Sequence, residues 1–139
     1  MKAVEPIRDT KTIKNMRSIL KAQSIRNELL FILGINVGLR ISDILKLKLE
    51  DLVKNGKTPK DYVIIIEIKT NKTKKFYIGD IVKKVIETYL KANKNLNEGD
   101  YIFISRKGEN SPITRQQAYR ILNGAAESLG LIERDEKGK

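Results

Sequence analysis

Arg40 is the residue of this sequence best placed for chemistry, because it lies in a short turn between two predicted helices. An apolar helix runs into Gly38, where glycine permits the left-handed backbone that ends a helix, and Ser42 can cap the next helix. Asp43 follows in the first turn, at the positive end of the helix dipole. A guanidinium held in such a turn suits a bidentate contact with a phosphate or a carboxylate. A structural arginine, bound to helix carbonyls or to Asp43, is the alternative interpretation.

A lysine-rich turn is the second candidate. A run of β-branched residues ending at Ile68 predicts a strand, and Lys69 stands where that strand becomes a turn, from which its ammonium can reach a DNA groove. Lys72, Lys74 and Lys75 follow in the turn and the returning strand. These lysines can contact phosphates, or they can form a solvated hairpin whose charges block pairing at an edge strand. Both interpretations remain open.

The two segments resemble, in sequence and in order, parts of the catalytic domain of tyrosine recombinases, also called phage integrases. Residues 38–45 are similar to the family's first catalytic-arginine box. The hydrophobic and acidic positions of that pattern continue through Leu47, Leu49 and Asp51–Leu52. Residues 68–75 are similar to the family's β-hairpin, whose catalytic lysine aligns best with Lys69 and alternatively with Lys72.

A third segment extends the resemblance towards the C-terminus. Residues 101–105, followed by Pro112–Thr114 at the start of a helix, match the family's order of elements. The resemblance therefore spans residues 6–131. It implies an intact enzyme that breaks and rejoins DNA through a 3′-phosphotyrosine, with neither a metal nor a nucleotide cofactor.

The resemblance also assigns roles to individual side chains. Arg40 would contact non-bridging oxygens of the scissile phosphate, where phosphoryl transfer places negative charge that fixed cations stabilise. Lys69 would be the general acid that protonates the 5′-oxygen leaving group. Asp43 would orient Arg40 from behind, or would be a plain acid at a helix start. The remaining candidates would contact DNA phosphates or form solvated faces: Lys72, Lys74, Lys75, Arg115 and Arg120.

The sequence departs from the family in the second half of the active site. The family has a His-x-x-Arg box, a further His or Trp, and a nucleophilic Tyr near the C-terminus. These 139 residues contain no histidine and no tryptophan, and the last tyrosine, Tyr119, precedes the place of that box. The resemblance thus implies the first part of a recombinase catalytic domain, inactive by itself, and none of the five tyrosines is assigned as a nucleophile.

The expected fold is mixed α+β, mainly helical, with a small antiparallel three-stranded sheet. The predicted helices begin at a Thr10 or Thr12 cap, at Ser24 (running to Val37), at Ser42, at an Asp80 cap and at a Thr114 cap, with Gly130 as the last stop. The predicted strands are 62–68, 74–78 and 101–104, and residues 54–60 are expected to form a loop. Residues 1–139 are predicted to form one partial domain, with 132–139 as a charged tail or linker.

Composition points to a polyanion partner. The chain has 28 Lys and Arg against 17 Asp and Glu, a net charge of +11 and a pI near 9.8, which favours nucleic acid, although a soluble basic protein is the alternative. Without cysteine or histidine, the sequence excludes disulfides, thiolate metal sites and zinc sites of the usual kind. No signal peptide or membrane span is predicted, so a cytoplasmic location is expected.

The expected partner is double-stranded DNA, and the resemblance allows a homo-oligomer on DNA. A non-catalytic DNA-binding regulator derived from a recombinase is the alternative function. A small basic RNA-binding protein is a third, and the 6% aromatic content, with no clustered stacking platform, argues against it.

Overall fold

The structure, a computed structural model, describes residues 9–105 and 109–131. The predicted tail at 132–139 lies outside these residues. Helices in the described part are α1 (Thr10–Gln23), α2 (Ile25–Ile32), α3 (Ile41–Leu45), α4 (Leu49–Leu52), α5 (Asp80–Ala92) and α6 (Arg115–Ser128). Strands are β1 (Val53–Lys54), β2 (Thr58–Pro59), β3 (Tyr62–Ile66) and β4 (Thr73–Tyr77). The mixed, mainly helical class predicted from the sequence is confirmed.

The predicted three-stranded sheet is wrong. The strands form two separate antiparallel pairs, β1 with β2 and β3 with β4. The 101–104 segment makes only isolated bridges, from Tyr101 to Lys48 and from Ile104 to Pro112. The second bridge is held by two bonds that flank Pro112, from the Ser105 N–H to the Ser111 carbonyl and from the Ile113 N–H to the Phe103 carbonyl. The predicted loop at 54–60 contains the short β1–β2 hairpin instead, which turns through Asn55 and Gly56 at positive φ.

The helix that leads to Arg40 changes from an α-helix to a π-helix before it ends. Ser24 caps α2 as predicted, and its hydroxyl accepts the Asn27 N–H. The expected continuous helix to Val37 instead becomes a π-helical turn at Leu33–Val37, and Gly38 then takes the left-handed conformation at φ 88°. A π-turn widens the coil by an extra residue, which shifts where the following chain leaves the helix. It therefore helps to set the position of Arg40.

Three predicted N-caps are wrong by one to three residues. Asp9, rather than Thr10 or Thr12, caps α1, because its carboxylate reaches the Lys11 N–H. Arg40 occupies the N-cap position of α3, since its extended backbone presents the carbonyl that accepts the first helical bonds, and this puts Ser42 inside the helix. By the same logic Gly79 precedes α5, with Asp80 in its first turn.

The last helix begins and ends as predicted. Thr114 and Gln117 form a capping box, in which each side chain accepts the other's backbone N–H. Gly130 follows the helix at φ 71°, and the Leu131 N–H bonds to the Ala126 carbonyl across the end. This helix packs against α1, α2 and α3.

The main core surrounds α2, whose residues from 27 to 32 are all buried. Its apolar side chains pack with those of α3, α4, β3 and α5 and with Ile102 and Phe103. A smaller cluster joins α1, Phe31 of α2, and Ala125 of α6. Arg40 thus follows directly from the most deeply packed helix. Over the described residues, no helix is both long and apolar enough to span a membrane.

Candidate active site

Arg40 lies at the surface beside the β3–β4 hairpin. Its backbone is fixed by Gly38 on one side and by α3 on the other, where its carbonyl accepts the N–H groups of Asp43 and Ile44. The side chain is 45% exposed, and its Nη1 is 3.4 Å from Oε2 of Glu67. The backbone is therefore rigid, while the guanidinium stays open to solvent.

Glu67 follows directly after β3 and is the central carboxylate of the site. Its side chain is only 6% exposed and contacts three partners. Besides Arg40, it accepts the Thr70 hydroxyl at 2.9 Å and lies 3.4 Å from Nζ of Lys74. The hydrogen bond from Thr70, followed by Lys74 and the charge of Arg40, holds the pKa of Glu67 below its ordinary value, although burial acts in the opposite direction. The carboxylate is therefore ionised at neutral pH.

A second carboxylate, that of Asp43 on α3, bonds to the backbone of the hairpin. Asp43 is fully buried, and its Oδ1 accepts the Ile68 N–H at 3.0 Å. Lys46, also from the α3 end, donates from Nζ to the Ile66 carbonyl. The three successive residues Ile66, Glu67 and Ile68 are thus each attached to the segment around α3. The contacts are therefore reciprocal. Asp43 of α3 bonds to the hairpin backbone, and Glu67 of the hairpin pairs with Arg40 at the start of α3.

The turn of the hairpin carries the candidate lysines. The Glu67 N–H bonds to the Lys72 carbonyl at 2.9 Å, and the Asn71 N–H bonds to the Glu67 carbonyl at 2.8 Å. Asn71 takes positive φ, which closes the turn. Lys69 and Lys72 are exposed within this closed turn. Both lie a few residues from the Glu67 carboxylate that holds Arg40, and both remain candidates for the predicted catalytic lysine.

The other predicted site residues lie on different faces. Lys74 points inward to Glu67, whereas its neighbour Lys75 lies over the ring of Tyr62, with Nζ 4.2 Å from the ring centroid. Arg115 and Arg120 are exposed on α6, which packs against α3 but is a separate element. The structure therefore brings Arg40, Asp43, Lys74 and the Lys69 turn together around the hairpin, with the α6 arginines on an adjoining helix.

The tyrosines make contacts of a structural kind. Tyr89 is buried, and its hydroxyl donates to the Ile102 carbonyl at 2.6 Å. Tyr62 and Tyr77 meet edge to face at the end of the hairpin away from the turn. Tyr101 receives Nζ of Lys48 over its ring, and Tyr119 is exposed on α6.

Glu67 is the site residue that sequence reasoning missed. The usable signal is the two-residue period of a strand, and in the structure β3 does alternate exposed and buried residues from Tyr62 onwards. That period places Glu67 on the buried side, in line with Val63 and Ile65. A carboxylate at an inward position must have partners, since an unpaired buried charge is costly. The sequence alone could not have named Arg40 as one of them.

Comparisons with known proteins identify the family of this chain. Residues 8–136 match the family model of the phage integrase family. The chain belongs to this family. It is 41% identical, over 133 residues, to the probable integrase/recombinase YoeC of Bacillus subtilis (strain 168), an alignment that covers 96% of this chain and 68% of YoeC. The resemblance stated from the sequence is confirmed.

The fold of this integrase-family chain is similar to that of the crystal structure of XerA recombinase. The TM-score is 0.71 at 13% identity, and the match covers 96% of this chain and 46% of the XerA chain. At that identity the likeness concerns the fold alone. The chain spans less than half the length of XerA.

Proposed function

We propose that this chain is the DNA-binding part of a tyrosine recombinase, and that the intact enzyme integrates or recombines DNA through a 3′-phosphotyrosine. The observation that carries the proposal is that Arg40, exposed at the end of a rigid helix, is joined through Glu67 to the turn that contains Lys69. Two cations on adjoining segments suit a phosphodiester better than an isolated basic patch does.

In the proposed reaction, the two cations act on opposite parts of one phosphate. Arg40 stabilises the charge on the non-bridging oxygens as the tyrosine oxygen bonds to phosphorus. Lys69, or Lys72 in the alternative alignment, gives a proton to the 5′-oxygen as its bond to phosphorus breaks. Asp43 supports the site by fixing the hairpin backbone through the Ile68 N–H. Lys74, Lys75, Arg115 and Arg120 supply further positive charge along the duplex, and copies of the protein assemble on DNA.

Duplex binding tests the proposal directly. With a net charge of +11, the chain is expected to bind duplex DNA with little sequence preference and with an affinity that falls steeply as salt rises, because binding releases counterions. Arg40→Ala should lower the slope of log affinity against log salt by about one unit. Lys94→Ala, in the loop after α5, is the control and should leave the slope unchanged. Binding that is absent at low salt, or indifferent to salt, would contradict the proposal.

A non-catalytic DNA-binding regulator derived from a recombinase is the second candidate, since contact of the exposed Arg40 and hairpin lysines with DNA requires no nucleophile. Both candidates predict that the 139-residue chain alone forms no covalent adduct with a nicked suicide substrate, because several members of a cooperating catalytic set are missing. A shifted protein–DNA band on denaturing electrophoresis, lost when one tyrosine is changed to Phe, would overturn this expectation. The reading frame separates the candidates: continuation into a His-x-x-Arg box and a tyrosine supports the enzyme.

A further inference from the structure

Glu67 joins the start of α3 to both the turn and the returning strand of the hairpin. Its carboxylate contacts Arg40 at the start of α3, Lys74 on β4 and Thr70 in the hairpin turn. Its own backbone closes the turn through Lys72 and Asn71. Any shift of Glu67 therefore moves both the guanidinium of Arg40 and the turn that carries Lys69.

The contact between Glu67 and Arg40 leaves the arginine able to bind a second anion. A guanidinium carries several N–H donors arranged as a fork, and Glu67 is met by Nη1 alone, at 3.4 Å. This distance is longer than that of a tight bidentate pair, and the arginine side chain is 45% exposed while the glutamate side chain is 6% exposed. A phosphate can thus approach Arg40 from solvent while the carboxylate stays behind it.

The opposite arrangement would be a blocking one, in which the carboxylate occupies Arg40 in place of a phosphate and must be displaced. The burial of Glu67 and its bonds to Thr70 and Lys74 argue against displacement, because they leave the carboxylate little room to move away from Arg40. A group held so firmly is suited to orienting its neighbour.

We propose that Glu67 is a positioning residue, which couples the orientation of Arg40 to the closed form of the Lys69 turn and keeps this contact when DNA binds. The inference rests on the proposed function for its consequence, the alignment of two cations on one phosphate. The coupling itself is a property of the DNA-free chain and is tested without DNA.

Nuclear magnetic resonance on the 139-residue chain provides the test. The readouts are the side-chain Nε–Hε signal of Arg40 and the hydrogen exchange of the Asn71 amide, which bonds to the Glu67 carbonyl. Glu67→Gln should broaden the Arg40 signal and speed Asn71 exchange about tenfold, the scale of one lost charge-assisted hydrogen bond. Glu87→Gln, which removes the same charge from an exposed position of α5, should change neither.

A double-mutant cycle distinguishes positioning from simple support of the turn. Arg40→Ala, at an exposed residue whose loss does not threaten folding, should speed Asn71 exchange nearly as much as Glu67→Gln does, and the double variant should add little. Additive effects, or an Arg40 variant that leaves the turn unchanged, would overturn the inference.

Addition of a short duplex separates this inference from the proposed function. We expect DNA to shift the Arg40 signal while Asn71 exchange stays slow. Faster exchange on binding would mean that DNA pulls Arg40 away from Glu67, which overturns the positioning role. An Arg40 signal that does not shift on DNA addition would instead contradict the proposed phosphate contact. The coupling between Arg40 and the turn would then be decided by the double-mutant cycle measured without DNA.

Discussion

At the scale of single residues, buried carboxylates matched by cations organise this molecule. Glu28, 3% exposed, is paired with Arg17 at 3.1 Å, just as Glu67 is paired with Arg40 and Lys74. Asp43 is fully buried with Lys46 at 3.6 Å, and its Oδ2 has no hydrogen-bond partner within 9–105 and 109–131. A buried charge that loses its partner destabilises the fold. Each of these pairs therefore favours the fold in which its two segments are in contact.

The Tyr89 hydroxyl gives a residue-scale prediction for stability. It is buried, burial raises its pKa to about 12, and it donates to the carbonyl of Ile102, itself 1% exposed. Tyr89→Phe leaves that carbonyl without its donor, so the free energy of unfolding should fall by about 1–3 kcal/mol. Urea unfolding followed by circular dichroism measures the change. Tyr77→Phe, at a 60% exposed ring, is the matched control and should have an effect below about 0.5 kcal/mol.

At the scale of elements, the passage from α2 to α3 decides where Arg40 points. The π-helical turn and the left-handed Gly38 replace what would otherwise be a plain helix end. Both the Gly38 and the Leu39 N–H groups bond to the Leu33 carbonyl, which closes the end of the helix tightly. The catalytic candidate thus depends on one backbone conformation that only glycine adopts without cost.

Gly38→Ala should therefore destabilise the chain. A Cβ at this position meets no atom within 4 Å, so the expected loss of about 1–2 kcal/mol comes from the backbone conformation at φ 88° alone. Gly124→Ala is the matched control, because Gly124 is exposed inside α6 and its Cβ would also meet nothing. That variant should gain about 0.5–1 kcal/mol, since alanine favours a helix interior. Two thermal melts with shifts of the same sign would contradict this account.

The same elements show what the sequence could and could not predict. Predictions succeeded for features that depend on neighbouring residues. Helices begin at the Ser24 and Thr114 caps, the last helix ends before Gly130, and a β-branched run forms β3. The 101–104 segment was misassigned because the choice of its pairing partners depends on distant parts of the chain. The contact between Arg40 and Glu67 spans 27 positions, and no local pattern specifies it. The basic candidates could therefore be named from the sequence, whereas their pairing with Glu67 could not.

At the scale of the whole molecule, the positive charge is unevenly compensated. The chain carries 28 basic and 17 acidic residues, and some of the acids are committed to buried or hydrogen-bonded pairs. The excess therefore remains at the surface, where it attracts polyanions and makes the compact state sensitive to any loss of negative charge. Acid removes this negative charge by protonating the Asp and Glu carboxylates.

Acid sensitivity follows from the carboxylates whose pKa values are lowered by folding. The pKa of Glu67 lies below its ordinary 4.5, chiefly through the hydrogen bond from Thr70, and that of Asp61 lies below 3.8, chiefly through the hydrogen bond from Lys83. A carboxyl with a lowered folded pKa contributes stability that is complete above its unfolded pKa and is lost as pH falls through the folded value.

The free energy of unfolding should therefore be flat near neutral pH and should fall as pH drops below about 4.5. Glu67→Gln should lower stability at pH 7, where the charged carboxylate is lost, and should converge with the natural chain at acid pH, where both lack that charge. Glu87→Gln should instead keep the natural pH dependence. Urea midpoints measured for the three proteins from pH 7 down to pH 3 provide the test, and parallel curves for Glu67→Gln and the natural chain would show that the Glu67 pairs do not stabilise the fold.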